Sequence, residues 1–389
     1  MKKIKFCILV VLLALVTLCV NSIHIQSSFA LGAADLSAKS YVVVDNNGKV
    51  LIEHNADEKR EVASICKLMT TLLTLEEIKK DNLSLDDKVV ASPYACQAEG
   101  SQAFLDAGSE YSIRDLLKSV IVASANDSAI VLAETVGGSE KLFVDMMNNK
   151  AVELGMNNTV YVNSTGLPAN NQYSTAKDTA IILNEISDYE IYREDCKIWM
   201  DTLVHPSGRE TELVNTNRLI KYYPNCITGK TGFTDEAGYC LSSTAINKDL
   251  KLTCVVLGCN SSADRFTDSV ALYNQAYANF TSKKIVDKTT SINNDIEVVR
   301  GKKNTLDVVP QEDYYLTTGK NENNSYDVQF ELFKKINAPV KKGDVVGIAK
   351  IFVDGTVVNE VNLVSNENIE GQTFSDVINK IADKFAFIN

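Results

Sequence analysis

Three short stretches place serine hydroxyls, lysine amines and an amide at spacings that could support acyl transfer. They are Ser64-Ile65-Cys66-Lys67, Ser124-Ala125-Asn126 and Lys230-Thr231-Gly232. Residues three apart at the start of a helix share one face, so the Lys67 amine can reach the Ser64 hydroxyl. A buried lysine near a second cation loses its proton more easily and can then act as a base. The first stretch therefore predicts a serine nucleophile that is activated by lysine.

The two later stretches supply groups that could bind a substrate. Ser124-Ala125-Asn126 interrupts the apolar helical run SVIVASANDSAIVLAE. Polar groups in such a setting need partners, and a substrate could be one, although a helix cap or an internally satisfied triplet is the alternative. Lys230 and Thr231 can hold a carboxylate, while Gly232 permits a close approach of the substrate.

Other chemistry finds little support along the chain. Gly229-Lys230-Thr231 looks like the end of a phosphate-binding P-loop, but Pro224 stands where that loop requires a glycine. After residue 30 the histidines are His54 and His205, and neither belongs to a G-x-S-x-G or H-E-x-x-H pattern. The cysteines and histidines show no metal-ligand spacing. We therefore expect no metal and no cofactor.

A second S-x-x-K stretch, Ser174-Thr175-Ala176-Lys177, also stands at the start of a predicted helix. Thr175 and Asp178 have the spacing of a capping box, in which a side chain satisfies the first free N–H groups of the helix. We interpret this second copy as structural.

Length and composition are those of an ordinary globular protein. The chain has 389 residues, 45% hydrophobic and 23% charged, which is enough for two domains and more than one core. The net charge of −11 argues against a nucleic-acid-binding protein, which normally shows a basic surface.

Residues 1–30 have the three parts of a signal peptide. Lys2, Lys3 and Lys5 precede an apolar run that continues to Ser28-Phe29-Ala30, a small-x-small cleavage pattern. An uncleaved membrane anchor is the alternative, because the apolar run is only slightly short for a span. We favour cleavage after Ala30 and an exported protein.

The order of predicted elements indicates an α+β catalytic domain over residues 31–282. Two strand-like runs flank Asn46-Asn47-Gly48, a hairpin signal. The pattern predicts a buried helix in ASICKLMTTLLTLEEI and mainly helical structure over residues 111–186. Strands return in YCLSSTAI and LKLTCVVLG, followed by a closing helix in ADRFTDSVALYNQAYANF. This order suits an antiparallel sheet whose N- and C-terminal strands meet, with helices on its faces.

Residues 283–389 show a different sequence pattern. Residues 283–370 are strand-like and rich in turns, which predicts a separate small β-domain. Residues 371–389 predict an amphipathic helix with an apolar stripe and as many acidic as basic residues. The charges argue against a transmembrane span. A peripheral membrane anchor and a helix that packs onto the β-domain both fit the stripe.

Taken in order, S-x-x-K, S-x-N and K-T-G form the motif set of class A β-lactamases and penicillin-binding proteins. The stretches ASICKLMT, SANDSAIVLAE, LGMNNTVYVNSTGL, YSTAKDTA and GKTGFTDEAGYCL resemble the low-molecular-weight D-alanyl-D-alanine carboxypeptidases. The resemblance covers essentially the whole chain after the signal segment. It implies a serine β-lactamase/transpeptidase-like catalytic domain, then a small all-β domain and an amphipathic helix.

The resemblance also implies an activity and partners. The enzyme would remove the terminal D-alanine from peptidoglycan stem peptides that end in D-Ala-D-Ala, and β-lactam antibiotics would acylate it. It would work outside the cytoplasmic membrane, in the cell-wall compartment, with residues 371–389 touching the outer membrane face.

Roles in this family carry over to matching positions. Ser64 would be the nucleophile, Lys67 its base and Ser124 the relay that brings a proton to the leaving group. Backbone N–H groups of Ser64 and Phe233 would form the oxyanion hole. The residues implied in substrate binding are Asn126, Lys230, Thr231, Gly232, Phe233 and Arg265. Asn126 would hold the peptide amide, and Lys230 and Thr231 would hold the terminal carboxylate with help from Arg265.

Two other functions remain as alternatives. Glu153 to Asn157, ELGMN, has the E-x-x-x-N spelling with which a class A β-lactamase drives deacylation. A catalytically idle penicillin-binding protein could serve as a wall-binding module, although the intact Ser64, Lys67, Ser124 and Lys230 count against it.

Overall fold

The structure is a computed structural model that describes residues 36–379. The predicted signal peptide, residues 1–30, lies outside the described residues. Residues 380–389 of the predicted C-terminal helix lie outside them as well.

A five-stranded antiparallel sheet forms the centre of the N-terminal part. Its strands are β1 (Ser40–Val44), β2 (Val50–His54), β7 (Cys226–Thr234), β8 (Gly238–Asn247) and β9 (Leu250–Cys259). The order across the sheet is β2-β1-β9-β8-β7, so the predicted pairing of N- and C-terminal strands is confirmed. The predicted hairpin joins β1 to β2, and Gly48 adopts φ +79° in its turn, a conformation that glycine reaches without strain.

Helices cover both faces of this sheet. They are α1 (Lys67–Lys79), α2 (Ile113–Val122), α3 (Asn126–Gly137), α4 (Glu140–Glu153), α5 (Ala176–Ile186), α6 (Glu190–Cys196), α7 (Leu219–Tyr222) and α8 (Asp264–Asn279). Two small hairpins lie among them: β3 (Lys88–Val90) with β4 (Glu110–Ser112), and β5 (Met200–Val204) with β6 (Glu210–Val214). Side-chain caps begin several helices; the Ser112 hydroxyl, for example, accepts the Asp115 N–H at the start of α2.

Alternating residues of the strands separate two cores, because successive side chains of a strand point to opposite faces. Val42 and Val255 pack into a cluster with the buried residues of α1, α2 and α3. Val43 and Val256 face the other way and pack against α8. Helix α1 lies inside the first cluster, and every side chain from Lys67 to Leu75 is buried. A rigid, fully packed helix therefore carries the lysine of the first motif.

The C-terminal residues are all strands and turns up to residue 373. The strands are β10 (Phe280–Val286), β11 (Glu297–Val299), β12 (Val308–Pro310), β13 (Tyr314–Gly319), β14 (Tyr326–Leu332), β15 (Lys335–Asn337), β16 (Val345–Val353) and β17 (Thr356–Ser365). Four of them form a sheet in the order β12-β17-β16-β14, and this part has a hydrophobic cluster of its own. Strand β10 spans residue 283, where we predict the domain boundary.

The start of the predicted C-terminal helix falls within the described residues. Residues 374–379 are helical, and the Phe374 side chain is 83% exposed. Between residues 36 and 379, no helix combines the length and the hydropathy needed to cross a membrane.

Candidate active site

The Ser64 hydroxyl is carried by a single 3₁₀ turn, Ala63–Cys66, that runs directly into α1. Ala63 adopts φ +49°, a strained conformation for a residue with a side chain. Two glycines let the chain approach this turn. A Cβ atom on Gly166 would lie 2.0 Å from the Ala63 carbonyl oxygen, and one on Gly232 would lie 2.4 Å from the Val62 carbonyl oxygen. Close backbone packing therefore fixes the position of Ser64.

Lys67 is fully buried at the start of α1, and its Nζ atom lies 2.9 Å from Ser64 Oγ. The same amine donates to the Thr165 carbonyl oxygen at 2.6 Å. Burial lowers the pKa of Lys67 from 10.5 to about 7, although the Asp127 carboxylate acts in the opposite direction. A large fraction of this lysine is therefore neutral at physiological pH and able to take a proton from Ser64.

The cysteine inside the first motif does not compete with Ser64. Cys66 is buried, and its thiol donates to the Asn163 carbonyl oxygen at 3.3 Å. Burial raises the pKa of this thiol to about 12, so it stays protonated and unreactive.

A second serine–lysine pair lies close to the first. Ser124 connects α2 to α3 with φ +63°, and Lys230 on β7 donates to its hydroxyl at 2.7 Å. Lys230 is also buried, and burial lowers its pKa well below the ordinary value. The neighbouring charges of Lys67 and Arg265 lower it further, so the two serine–lysine pairs share one electrostatic environment.

The structure holds Asn126 tightly at the start of α3. Its amide Nδ2 donates to the Glu99 carbonyl oxygen at 2.5 Å, and its backbone N–H donates to the Ser101 carbonyl oxygen at 2.7 Å. Its Oδ1 atom is buried and has no hydrogen-bond partner within residues 36–379. Because buried acceptors normally have partners, this oxygen is a candidate for a substrate N–H group.

The remaining predicted residues lie on β7 or contact it. The Thr231 hydroxyl donates to Thr216 Oγ1 at 2.7 Å. Phe233 is 47% exposed, and its ring stacks on Tyr239 with ring centroids 4.3 Å apart. Arg265 reaches across from α8 and donates to the Gly232 carbonyl oxygen at 3.1 Å. Arg265 thus contacts the K-T-G strand through its backbone.

The second S-x-x-K stretch has different surroundings. Ser174 is buried, and its hydroxyl lies 2.8 Å from Thr159 Oγ1. Lys177 points elsewhere and forms ion pairs with Glu53 at 2.9 Å and Asp57 at 2.7 Å. Thr175 caps α5 by accepting the Asp178 N–H at 3.0 Å. This lysine stays charged and is not hydrogen-bonded to the serine of its own motif.

Glu153, the candidate for a deacylating glutamate, ends α4. Its side chain is 66% exposed and pairs with Lys150 at 2.8 Å. Within residues 36–379, no hydrogen bond joins Glu153 to Ser64 or Lys67. This position offers nothing that would bring a water molecule to the ester of an acylated Ser64.

Several groups that contact the site residues lie outside the three motifs, so the motifs did not predict them. The Thr165 carbonyl that orients Lys67 is fixed by a turn in which Asn163 Oδ1 accepts the backbone N–H groups of Thr165 and Gly166. The stretch VNSTGL contains these residues, and an asparagine followed closely by a glycine is a turn signal. The carbonyl oxygens of Glu99 and Ser101 lie on a segment without any sequence pattern.

The arrangement can carry out acyl transfer. One buried amine with a lowered pKa is placed to take a proton from Ser64, and a second serine hydroxyl lies against another lysine. A cavity of about 500 Å³ adjoins the Ser64 turn, lined by Glu61–Ala63, Gly166–Gln172 and the end of β7. Its lining includes Ala63, the residue before Ser64, but not Ser64 itself, so it offers room for part of a substrate next to the Ser64 turn.

Comparisons with known proteins agree with this chemistry. The sequence profile described as D-alanyl-D-alanine carboxypeptidase matches residues 27–261. The profile described as penicillin-binding protein 5, C-terminal domain, matches residues 280–371.

Individual relatives cover nearly the whole chain. The D-alanyl-D-alanine carboxypeptidase DacF of Bacillus subtilis is 34% identical over 87% of this chain and 87% of its own length. DacC of Escherichia coli, described by the same activity, is 32% identical over 91% of this chain and 90% of its own length. The crystal structure of penicillin binding protein 5 from Haemophilus influenzae superimposes with a TM-score of 0.68 at 30% identity, covering 86% of this chain and 98% of that one.

Proposed function

Because this chain belongs to the D-alanyl-D-alanine carboxypeptidase family, we propose that Ser64 is its nucleophile and Lys67 the base that activates it. The protein is a low-molecular-weight penicillin-binding protein and a serine-type D-Ala-D-Ala carboxypeptidase of cell-wall peptidoglycan. Its substrates are stem peptides that end in D-Ala-D-Ala, and it binds β-lactams.

The first step is acylation of Ser64. Neutral Lys67 takes the hydroxyl proton while Ser64 Oγ bonds to the carbonyl carbon of the penultimate D-alanine. Backbone N–H groups of Ser64 and Phe233 stabilise the oxyanion that develops on this carbonyl. The C–N bond to the terminal D-alanine then breaks, and Ser124 delivers a proton to the departing amine. The proton that Lys67 took from Ser64 reaches the amine through the Ser124 hydroxyl, which leaves Lys67 neutral for the next step. The Ser124–Lys230 contact of 2.7 Å supports this relay, because it fixes the Ser124 hydroxyl.

The second step hydrolyses the ester. A water molecule attacks the acyl carbon, loses a proton to the base and releases the shortened peptide, which regenerates the Ser64 hydroxyl. The same attack on a β-lactam ring opens the ring and leaves an acyl-enzyme.

Substrate binding follows from the neighbouring groups. The terminal carboxylate is held by Lys230 and Thr231, with Arg265 steadying the strand through Gly232. Asn126 Oδ1, which has no partner in the described part of the chain, accepts an N–H of the peptide. The acyl part of the stem peptide occupies the cavity beside Ala63.

The observation that carries the site assignment is the 2.9 Å contact between Ser64 Oγ and the fully buried Lys67 amine. It is tested by mass spectrometry after incubation with benzylpenicillin. We expect one adduct, on the peptide that contains Ser64, and none in Ser64→Ala. Ser174→Ala, the matched change in the second S-x-x-K stretch, should label like the wild type. Labelling that disappears in Ser174→Ala and survives in Ser64→Ala would reverse the assignment.

We further propose the organisation that the sequence predicts. Residues 31–282 form the catalytic domain, residues 283–370 the β-domain and residues 371–389 a helix. The signal segment directs export to the cell-wall compartment. The helix contacts the outer face of the cytoplasmic membrane, which is supported by the exposure of Phe374, Val377 and Ile378.

A further inference from the structure

Asp127 follows Asn126 in the first turn of α3, and its carboxylate is completely buried. Its Oδ1 atom accepts the N–H groups of Ala103 at 2.9 Å and Ser128 at 2.8 Å. Its Oδ2 atom accepts the N–H of Leu105 at 3.1 Å. A buried carboxylate is costly unless hydrogen bonds compensate it, and here backbone N–H groups of residues 103 and 105 do so.

These bonds tie the segment 99–105 to α3, and the same segment holds Asn126. The carbonyl oxygens of Glu99 and Ser101 accept the side-chain and backbone N–H groups of Asn126. Gly100 lies between them with φ +79°, and a Cβ atom there would come within 3.0 Å of Asn126 Nδ2. Asp127 therefore holds residues 103 and 105 at one end of the segment 99–105, and the other end contacts the Asn126 amide.

We propose that Asp127 is a positioning residue for the carboxypeptidase reaction: it anchors the segment 99–105, which in turn orients the Asn126 amide toward substrate. With Nδ2 bonded to the Glu99 carbonyl, Oδ1 is the amide atom that stays available to accept a substrate N–H. A flipped amide would set its oxygen against the Glu99 carbonyl oxygen, and two acceptors repel each other. The inference rests on the proposed function, because it gives Asn126 its role.

A purely structural role is the competing explanation. An acidic residue in the first turn of a helix is stabilising in its own right, and Asp127 would then affect only folding. The two explanations differ in what happens to the catalytic rate of the molecules that are correctly folded.

The first test perturbs the segment without touching the carboxylate. Gly100→Ala brings a methyl group against Asn126 Nδ2, whereas Gly108→Ala has nothing within 4 Å of its new methyl group. Both glycines have nearly the same positive φ, +79° and +78°, so the backbone strain is matched. We expect kcat/KM on a D-Ala-D-Ala peptide to fall about tenfold or more in Gly100→Ala, as for a weakened substrate hydrogen bond. Gly108→Ala should stay within about twofold of the wild type.

The second test removes the anchor. Asp127→Asn keeps the shape but points an NH₂ group at a backbone N–H, so one of the two segment bonds is lost. Asp268→Asn is the control for the loss of a buried charge. Asp268 also accepts two backbone N–H groups, from Ser37 and Ala38, but both at Oδ2, so an asparagine oxygen can keep both bonds. Only Asp127→Asn should lose kcat/KM per folded molecule, and only it should speed amide hydrogen exchange at residues 103 and 105.

A pH profile separates the loss of the Asp127 charge from the loss of its bonds to the segment, because kcat/KM is compared at a pH above the acid limb. The Asp127 carboxylate raises the pKa of Lys67, so its removal should move the acid limb of kcat/KM to lower pH. Gly100→Ala removes no charge and should leave that limb in place.

The proposal is overturned if either Gly100→Ala or Asp127→Asn keeps the wild-type kcat/KM per folded molecule. If Asp127→Asn does not fold, Asp127→Glu takes its place, because it keeps the charge but moves the acceptor oxygens relative to the Ala103 and Leu105 N–H groups. Equal losses in Gly100→Ala and Gly108→Ala would also overturn the proposal, because strain alone would then explain them. Failure of the proposed function gives a different result: the Ser64→Ala variant would still hydrolyse the peptide.

Discussion

Acylation of Ser64 should follow the protonation of Lys67, with an acid limb centred near pH 7. The structure buries the Lys67 amine and lowers its pKa from 10.5 to about 7. About half of this lysine is then neutral at pH 7, and about one per cent at pH 5. Because only the neutral amine can serve as base, the acylation rate constant should fall about tenfold for each pH unit below 7.

Burial accounts for most of this reactivity. An exposed lysine with the ordinary pKa would be neutral to only about 0.03% at pH 7, so burial increases the competent fraction by roughly 10³-fold. The lowered pKa corresponds to a free energy of about 5 kcal/mol by which burial disfavours the charged form of the amine relative to the neutral form. In the described residues, the Lys67 amine donates to two acceptors, Ser64 Oγ and the Thr165 carbonyl oxygen.

The perturbation is Lys67→Arg, measured with a fluorescent penicillin under single-turnover conditions between pH 5 and 9 at constant ionic strength. Arginine keeps the charge but stays protonated throughout this range, so we expect at least a thousandfold slower acylation and no acid limb. Lys177→Arg is the matched control, because Lys177 occupies the same place in the second S-x-x-K stretch and pairs with Glu53 and Asp57. It should keep the wild-type profile.

Two results would refute this reasoning. One is acylation of Lys67→Arg at a rate within tenfold of the wild type, provided that circular dichroism shows both to be folded. The other is a wild-type acid limb centred near pH 4–5, the range of an ordinary carboxyl group, which would assign the base to another residue.

Three further outcomes are expected. A substrate amidated at its C-terminus should show a much lower kcat/KM, because Lys230 and Thr231 lose a charged partner. The lost interaction corresponds to about 1.5–3 kcal/mol of transition-state stabilisation. Equal rates on the acid and the amide would show that these residues do not bind the carboxylate. Gly166→Ala should abolish penicillin labelling and lower the melting temperature, because its methyl group would clash with the turn that carries Ser64. Gly155→Ala is the control: it has a similar φ of +78° and nothing within 4 Å of the new methyl group, so it should retain labelling. Removing residues from Phe374 onward should release active, signal-cleaved enzyme into the soluble cell fraction; unchanged membrane association, or loss of folding, would contradict the anchor.

The sequence determined the chemistry to a large extent. Motif order identified the family. The order of strands, a block of helices, further strands and a last helix predicted an antiparallel sheet in which the N- and C-terminal strands meet, as β1 and β9 do. These features can be predicted from the sequence because they depend on local spacing. Ser64 and Lys67 are three positions apart, which places them on one helical face, and a two-residue period marks a strand.

Only the tertiary structure shows how different the surroundings of the two S-x-x-K stretches are. Ser64–Lys67 and Ser174–Lys177 share one pattern, yet one lysine is buried against its serine and the other is paired with Glu53 and Asp57 at the surface. Burial and charge partners come from elements distant in the chain, so spacing cannot report them.

The same holds for the groups around Asn126. The Glu99 and Ser101 carbonyls and the Asp127 carboxylate meet because the segment 99–105 folds back onto α3. Backbone carbonyls have no residue type that a pattern could display, and any residue can supply one. Their position is a property of the folded chain, set by the hydrogen bonds that close the segment onto the helix.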